Sequence, residues 1–251
     1  MKSNDNIFNN VNAIILAAGI GNRLKPETNS TPKPLTSINS IPIIETQIIY
    51  LKEAGVKNIY IVVGYKKEQF GYLIEKYENI FLIENDLYNI TNNIYSLFLC
   101  RNHLQNTWII EGDIYLRKNI FKIQYDCFYI TALKPLINNE WIFDLFYDNK
   151  VLKIIVKKIE NKENNNLSKF YLLSGISFWS SAYSKLIADS LCRRFSDKKK
   201  FEVNRMLYWD QIIYENIKSF DLFAQITDEN DWFEIDTIWD LNHLNNLIEN
   251  N

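Results

Sequence analysis

No run of about 18 apolar residues occurs anywhere in the chain, so a membrane-spanning helix is excluded. Nor do the first ten residues, MKSNDNIFNN, hold the apolar stretch that a secretory signal requires. Cysteine is scarce. Cys100, Cys127 and Cys192 are widely separated and odd in number, which fits reduced core thiols better than disulfides or a metal site. Histidine is scarcer still: His103 and His243 stand isolated, and neither is expected to act as an acid–base catalyst. Charge of one sign is missing too, since 28 Lys and Arg face 30 Asp and Glu for a net −2. A basic footprint for nucleic acid is therefore absent, and a phosphate ligand must be held by a few local cations. The expectation is a cytoplasmic protein acting on small molecules.

Apolar and aromatic residues, by contrast, are plentiful. Of 251 residues, 47% are hydrophobic, ample for one sizeable core. With 15 Tyr, 15 Phe and 6 Trp, some aromatics must lie near the surface or line a pocket.

The chain is organised around Val11 to Leu35. Ala13 to Leu16 is a short apolar run suited to a buried strand. Ala17 and Ala18 follow, then Gly19 and Gly21, then Arg23, Lys25 and Lys33 in a loop punctuated by proline. Glycines let backbone N–H groups approach a ligand closely, and the cations suit phosphate. Two common phosphate loops fail here. A GxGxxG from Gly19 needs glycine where Leu24 stands, and the Gly-Lys-Ser/Thr of a P-loop is missing. What remains, LAAGIGNRL followed by TPKPL, resembles the signature of nucleotidyltransferases that join an NTP to a sugar 1-phosphate or a small phosphorylated alcohol. A plain glycine turn between strand and helix would require neither Arg23 nor the Pro32-Lys33-Pro34 clamp.

Further along, patterning predicts a helix from Ile41 to Ala54 and strands over Asn58–Val63, Ile80–Ile83 and Thr107–Ile110. Helices are expected over Lys67–Tyr77 and Asn93–His103. This alternation argues for an α/β, doubly wound sheet, with ligands beyond the carboxyl ends of its strands. From Asp126 the chain turns strand-rich, in CFYITAL, WIFDLFY and VLKIIVKKI, with a polar loop over Glu160–Asn166. Strands resume at Phe170–Leu173 and Ile176–Trp179, and helices at Ala182–Arg194, Leu207–Asn216 and Trp239–Ile248. One domain over 1–251 is expected: a nucleotide-binding half, 11–125, and an acceptor-binding half, 126–251.

The resemblance implies a Rossmann-like nucleotidyltransferase fold with a mostly parallel mixed central sheet. It places Arg23 and Lys33 against the triphosphate; Lys25 is equally well read as a solvated loop residue. It gives Asp113, in EGDIYL, and Asp236, in WFEIDTIWDL, to Mg²⁺. Asp236 could instead cap the following helix, and Glu111 and Glu234 stand as outer partners only. Leu16, Ala17, Ala18, Gly19 and Gly21 fall to the nucleotide, with Asn85, Thr91, Asn92 and Asn93 from ENDLYNITNNIYSL. Asn side chains and hydroxyls suit a pyrimidine edge, although one of Thr91 and Asn92 must cap a helix.

NEW followed by a strand, SGISFW and LYWD, in that order, resemble the bacterial CTP:phosphocholine cytidylyltransferases across about Asn12 to Glu249. The resemblance implies CTP and phosphocholine as substrates. Trp141, Tyr208 and Asp210 are then the acceptor candidates, since aromatic faces and carboxylates hold quaternary ammonium. Trp209 and Trp179 are assigned to the core. The sequence departs from the family pattern at Glu111-Gly112-Asp113, where Asp-x-Asp is expected, and through a longer stretch from Lys157 to Lys169. Phosphoethanolamine, 2-aminoethylphosphonate or a sugar 1-phosphate are alternative acceptors, and a non-catalytic nucleotide-binding regulatory module is the alternative of another class.

Overall fold

The computed structural model describes residues 10–136, 140–157 and 168–249. The polar segment 160–166, and with it most of the stretch from 157 to 169, lies outside them.

Strand β1 (Val11–Ala17) is buried along its whole length, as its unbroken apolar sequence demands. The chain then forms the glycine loop, a small hairpin of β2 (Ser37–Ile38) and β3 (Ile41–Pro42), and helix α1 (Ile43–Glu53). Next come β4 (Asn58–Val63), α2 (Tyr72–Lys76), β5 (Ile80–Glu84), α3 (Asn93–Leu99), β6 (Asn106–Glu111) and β7 (Ile114–Leu116). β4 and β6 flank β1 in parallel, and β5 extends the sheet beyond β4. Alternate residues of β1 serve opposite faces. Ala13, Ile15 and Ala17 join Ile44, Ile48 and Leu51 of α1, whereas Ile14 and Leu16 join Ile94 and Leu97 of α3. The carboxyl ends of β1, β4, β5 and β6 consequently open on one side of the molecule.

The second half turns the sheet antiparallel. It contains β8 (Cys127–Pro135), β9 (Glu140–Leu145), β10 (Val151–Lys157) and β11 (Lys169–Trp179), then α4 (Ser181–Arg194), α5 (Lys198–Asn204) and α6 (Gln211–Glu215). β12 (Phe223–Ile226), β13 (Trp232–Glu234) and α7 (Ile238–Glu249) complete it. β11 pairs with β8 on one edge, and with β9 and then β6 on the other. β12 lies parallel to β8, so the sheet is mixed, and β7 pairs with β13 in a separate ribbon.

Several expectations shift on folding. The two strands around Ser174-Gly175 are one, bent at that pair, where the register against β8 slips. Helix 207–216 contracts to α6. The Trp209 N–H is taken by the Asn93 side chain, at 2.8 Å, so the turn Leu207–Trp209 stays outside the helix. Helices 67–77 and 93–103 each break into a short 3₁₀ turn and an α segment. α5 went unforeseen because three lysines hide its periodicity; its one sequence signal is Asp197, whose carboxylate caps Lys200 N–H at 2.9 Å. Of the three cysteines, Cys100 and Cys127 are buried thiols, but Cys192 is exposed on α4.

Candidate active site

β1 delivers the chain to Ala18 and Gly19, and a Cβ on Gly19 would meet no atom of the described residues within 4 Å beyond its chain neighbours. Gly21 stands at φ +68°, and a Cβ there would lie 3.0 Å from Lys33 Cβ. Only glycine both adopts this conformation without strain and lets the loop close over Lys33. Leu24, the residue that defeats both familiar phosphate motifs, is fully buried with Ile235 and Leu244. That small cluster ties the loop to the C-terminal segment.

Lys33 is almost wholly buried, and its ammonium donates to Asp113 Oδ2 at 2.5 Å and to Asp236 Oδ1 at 2.6 Å. Arg23, whose side chain is 67% exposed, reaches Asp236 Oδ2 at 2.8 Å. Residues more than a hundred positions apart meet here because β13 pairs with β7, setting Glu234 opposite Ile114 and bonding Ile235 N–H to Asp113 O. α7 does not use Asp236 as its cap. Thr237 and Asp240 cap it reciprocally: the Asp240 carboxylate accepts from Thr237 N–H at 2.7 Å, and the Thr237 hydroxyl accepts from Asp240 N–H at 3.3 Å. The Asp236 carboxylate is thereby left to Lys33 and Arg23.

Asp113, Glu234 and Asp236 each offer an oxygen, all within 4.8 Å of one another. Asp113 Oδ1 is buried without a hydrogen-bond partner among the described residues. An orphaned carboxylate oxygen in an all-oxygen set fits a hard divalent cation such as Mg²⁺. Glu234, expected only as an outer partner, belongs to this cluster.

Two clefts converge on the carboxylates. The first, about 410 Å³, is lined by every residue expected at the nucleotide, together with Arg23, Lys33, Asp113 and Asp236. The second, about 290 Å³, is lined by Trp141, Tyr208 and Asp210, with Glu140, Gly175 and Glu234. Arg23, Glu111, Asp113, Tyr208 and Asp236 border both. The glycine loop and an aromatic, acidic pocket thus share one acidic wall.

The chain is similar to known proteins. Residues 12–107 match the family model described as nucleotidyl transferase. The choline-phosphate cytidylyltransferase of Streptococcus pneumoniae is 38% identical over 239 residues, covering 95% of this chain and 98% of that relative. The solved structure of the S. pneumoniae CTP:phosphocholine cytidylyltransferase superposes with a TM-score of 0.86, over 95% of this chain and 99% of that one. This chain is a member of the choline-phosphate cytidylyltransferase family of nucleotidyltransferases. A 2-aminoethylphosphonate cytidylyltransferase from Lancefieldella rimae is also 34% identical, over 92% of this chain and 90% of that relative.

In this enzyme the residues expected to read a base make hydrogen bonds to their own surroundings. The Asn85 amide donates to Thr91 Oγ1 and Ser96 Oγ, and its oxygen accepts from Leu87 N–H. The Asn92 oxygen accepts from Asn93 N–H, capping α3, and the Thr91 hydroxyl donates to Leu87 O. These side chains shape the wall, so their amides and hydroxyls are largely engaged. Ser96 and Tyr88, which also line the first cleft, were missed. Both lie within the recognisable ENDLYNITNNIYSL stretch, but only folding turns them inward.

On the acceptor side, Trp141 of β9 is half-buried, its ring edge-on to Tyr214 with centroids 5.6 Å apart. Tyr208 is 51% exposed. Asp210 is buried and accepts from the Tyr129 hydroxyl at 2.7 Å; burial pushes its carboxyl up to about 6. Trp209 and Trp179 pack edge-on to each other in the core. Lys134 and Pro135, the Lys-Pro pair of the middle region, belong to neither cleft. The Lys134 ammonium lies 3.5 Å from the Trp232 ring centre and donates to Trp232 O.

The electrostatics follow from crowding. Burial opposes the Lys33 charge, but Asp113 and then Asp236 outweigh it and hold the ammonium above its ordinary range. Glu234 opens to solvent through the cleft mouth yet is walled in by protein. That desolvation, then Asp113 and Asp236, raises its carboxyl well above the usual range. Burial would raise Asp236 as well, but Lys33 and Arg23 bring it below. Glu111 is raised by burial, then by Asp113 and Asp210.

Proposed function

We propose that the enzyme transfers CMP from CTP to phosphocholine, giving CDP-choline and pyrophosphate. The observation that carries this reading is the convergence of the glycine-loop cleft and the aromatic–acidic cleft on Asp113 and Asp236. The relatives' activities favour the same substrates. Residues 11–125 form the nucleotide side and 126–251 the acceptor side of one domain, working in the cytoplasm.

In this mechanism Gly19 and Gly21 admit the triphosphate close to the backbone. Arg23 and Lys33 neutralise its β- and γ-phosphates. Asp113, Glu234 and Asp236 would hold Mg²⁺, which when bound neutralises charge at the α-phosphate. An oxygen of the acceptor phosphate bonds to the α-phosphorus while the bond to the β-bridging oxygen breaks in line. Its electron pair leaves with pyrophosphate, toward Arg23 and Lys33. No proton need move, because the attacking oxygen is already anionic.

Trp141 faces the quaternary ammonium with Tyr208, while Asp210 and Glu140 supply negative charge. Trp141→Ala is expected to raise the phosphocholine KM about 2- to 30-fold, for the loss of one cation–π contact worth ~0.5–2 kcal/mol. The CTP KM should change little; equal rises in both would remove Trp141 from a cation pocket.

Asp210 adds a pH dependence. Its carboxyl, at about 6, is protonated below that pH, so attraction for an ammonium weakens as pH falls. The acceptor KM should rise below pH 6. The acceptor phosphate titrates nearby, at roughly 6, so Asp210→Asn is the control. It should raise KM at neutral pH and remove the part of the profile owed to the carboxylate. An unaltered profile would mean that Asp210 does not face the ammonium.

The deciding experiment is pyrophosphate release with Mg²⁺ and CTP, comparing phosphocholine, phosphoethanolamine, 2-aminoethylphosphonate and glucose 1-phosphate. Preference for a primary amine is the second reading, favoured by the carboxylates Glu140 and Asp210 and by the L. rimae relative. Release with none of the four, despite CTP binding, would overturn the catalytic reading in favour of a regulatory one.

A further inference from the structure

Asn93 was expected to read the base, yet both ends of its side chain are used elsewhere. Its amide N–H donates to Glu111 Oε1 at 2.9 Å, and its oxygen accepts from Trp209 N–H at 2.8 Å. These partners fix which way the amide points, because a carboxylate oxygen faces its nitrogen and a backbone N–H faces its oxygen. They also belong to different places. Glu111 ends β6 at the boundary of the two clefts; Trp209 lies between Tyr208, which borders both, and Asp210, which borders the second.

Helix α3 does not need this side chain. Its cap is Asn92, whose backbone N–H is additionally tied to Arg205 O at 2.7 Å. The Glu111 end is closely fitted as well. Gly175, at φ +74° in the bend of β11, stands where a Cβ would come within 2.9 Å of Glu111 Cγ. The bend thus leaves room for Glu111 and nothing larger.

We propose that Asn93 is a positioning residue that couples the two clefts, holding the acceptor turn Leu207–Asp210 in register with the nucleotide wall. Occupation of the first cleft orders α3 and Glu111, and through Asn93 it orders the turn that presents Tyr208 and Asp210 to the acceptor. CTP binding therefore prepares the second site. The acceptor part of this inference rests on the function proposed above; the coupling itself rests on the bridge.

The test has two arms. In the first, backbone amide exchange of 206–210 is followed with and without CTP, whichever acceptor the enzyme uses. CTP should slow exchange there in the wild type and leave it unchanged in Asn93→Ala. Absence of CTP-dependent protection in the wild type, or its persistence in the variant, overturns the coupling.

The second arm is kinetic. Asn93→Ala should raise the acceptor KM up to about tenfold, the effect of one lost buried hydrogen bond, with a smaller change for CTP. Asn93→Asp keeps the Trp209 bond but replaces the amide donor with a second acid, which must share a proton with Glu111, and should be worse. Adding Glu111→Gln restores a donor–acceptor pair with the roles reversed. The double variant should therefore recover acceptor KM relative to Asn93→Asp alone. No recovery, or equal rises of both KM values in Asn93→Ala, would make Asn93 an ordinary structural or nucleotide-contacting residue. Protection by CTP without turnover of any acceptor would instead sink the proposed function and leave the bridge standing.

Discussion

Asp113→Ala is expected to lower turnover by on the order of 10³-fold while leaving the fold intact. Asp113 Oδ1 is the orphaned buried oxygen of the acidic cluster, and Oδ2 is bound by Lys33. Asp113 lines both clefts, so its removal strips carboxylate oxygens from the wall they share. Stability should change little, because Lys33 keeps Asp236 at 2.6 Å. The substitution also removes a carboxylate that pushes the Glu111 and Glu234 acids upward. Pyrophosphate release and a thermal melt, run side by side, decide it. Normal turnover in a folded variant would detach Asp113 from metal and catalysis together.

Lys33→Met is expected to cost both activity and stability. The side chain is 9% exposed and its ammonium lies between two carboxylates. Methionine fills a similar volume without the charge, so Asp113 and Asp236 are left facing each other. Breaking such a pair costs about 3 kcal/mol, at the lower end of the buried range because both acids keep some contact with solvent. Turnover should fall roughly 10²- to 10³-fold as a cation near the leaving group is lost. With Mg²⁺ held by the same carboxylates, as proposed, the melting temperature of the variant should rise more on adding Mg²⁺ than that of the wild type. Equal stability of the two proteins in EDTA would show that Lys33 does not neutralise this cluster.

Much of this was legible because the relevant signals are local. The strand Ala13–Leu16 reads as buried from its own composition, and the glycines, Arg23 and Lys33 follow within one loop. Asp113 announces itself by following a strand end. Trp141 and the pair Tyr208 and Asp210 were reached through resemblance, since neither periodicity nor spacing marks them out. Glu234 was underrated for a physical reason: whether a carboxylate beside a ligand is itself a ligand depends on where β13 pairs, and β13 is only three residues long. The residues expected at the base were incompletely legible for a similar reason. Asn85, Thr91, Asn92 and Asn93 have the right chemistry for a pyrimidine, but folding commits much of it to one another, to α3 and to Glu111.

The sequence by itself determined the class of the enzyme, its parallel core and the phosphate loop, because each is written in a contiguous run whose chemistry acts over a few residues. The tertiary structure alone decided which carboxylates cluster and which side chains line the two clefts. Lys33, Asp113 and Asp236 are brought together by the β7–β13 ribbon and the buried Leu24–Ile235–Leu244 cluster. Asn93 was assigned to one cleft or to both only when Trp209 N–H reached it across 116 positions of chain. Contacts at such separations depend on strand register and packing, and no local pattern encodes them.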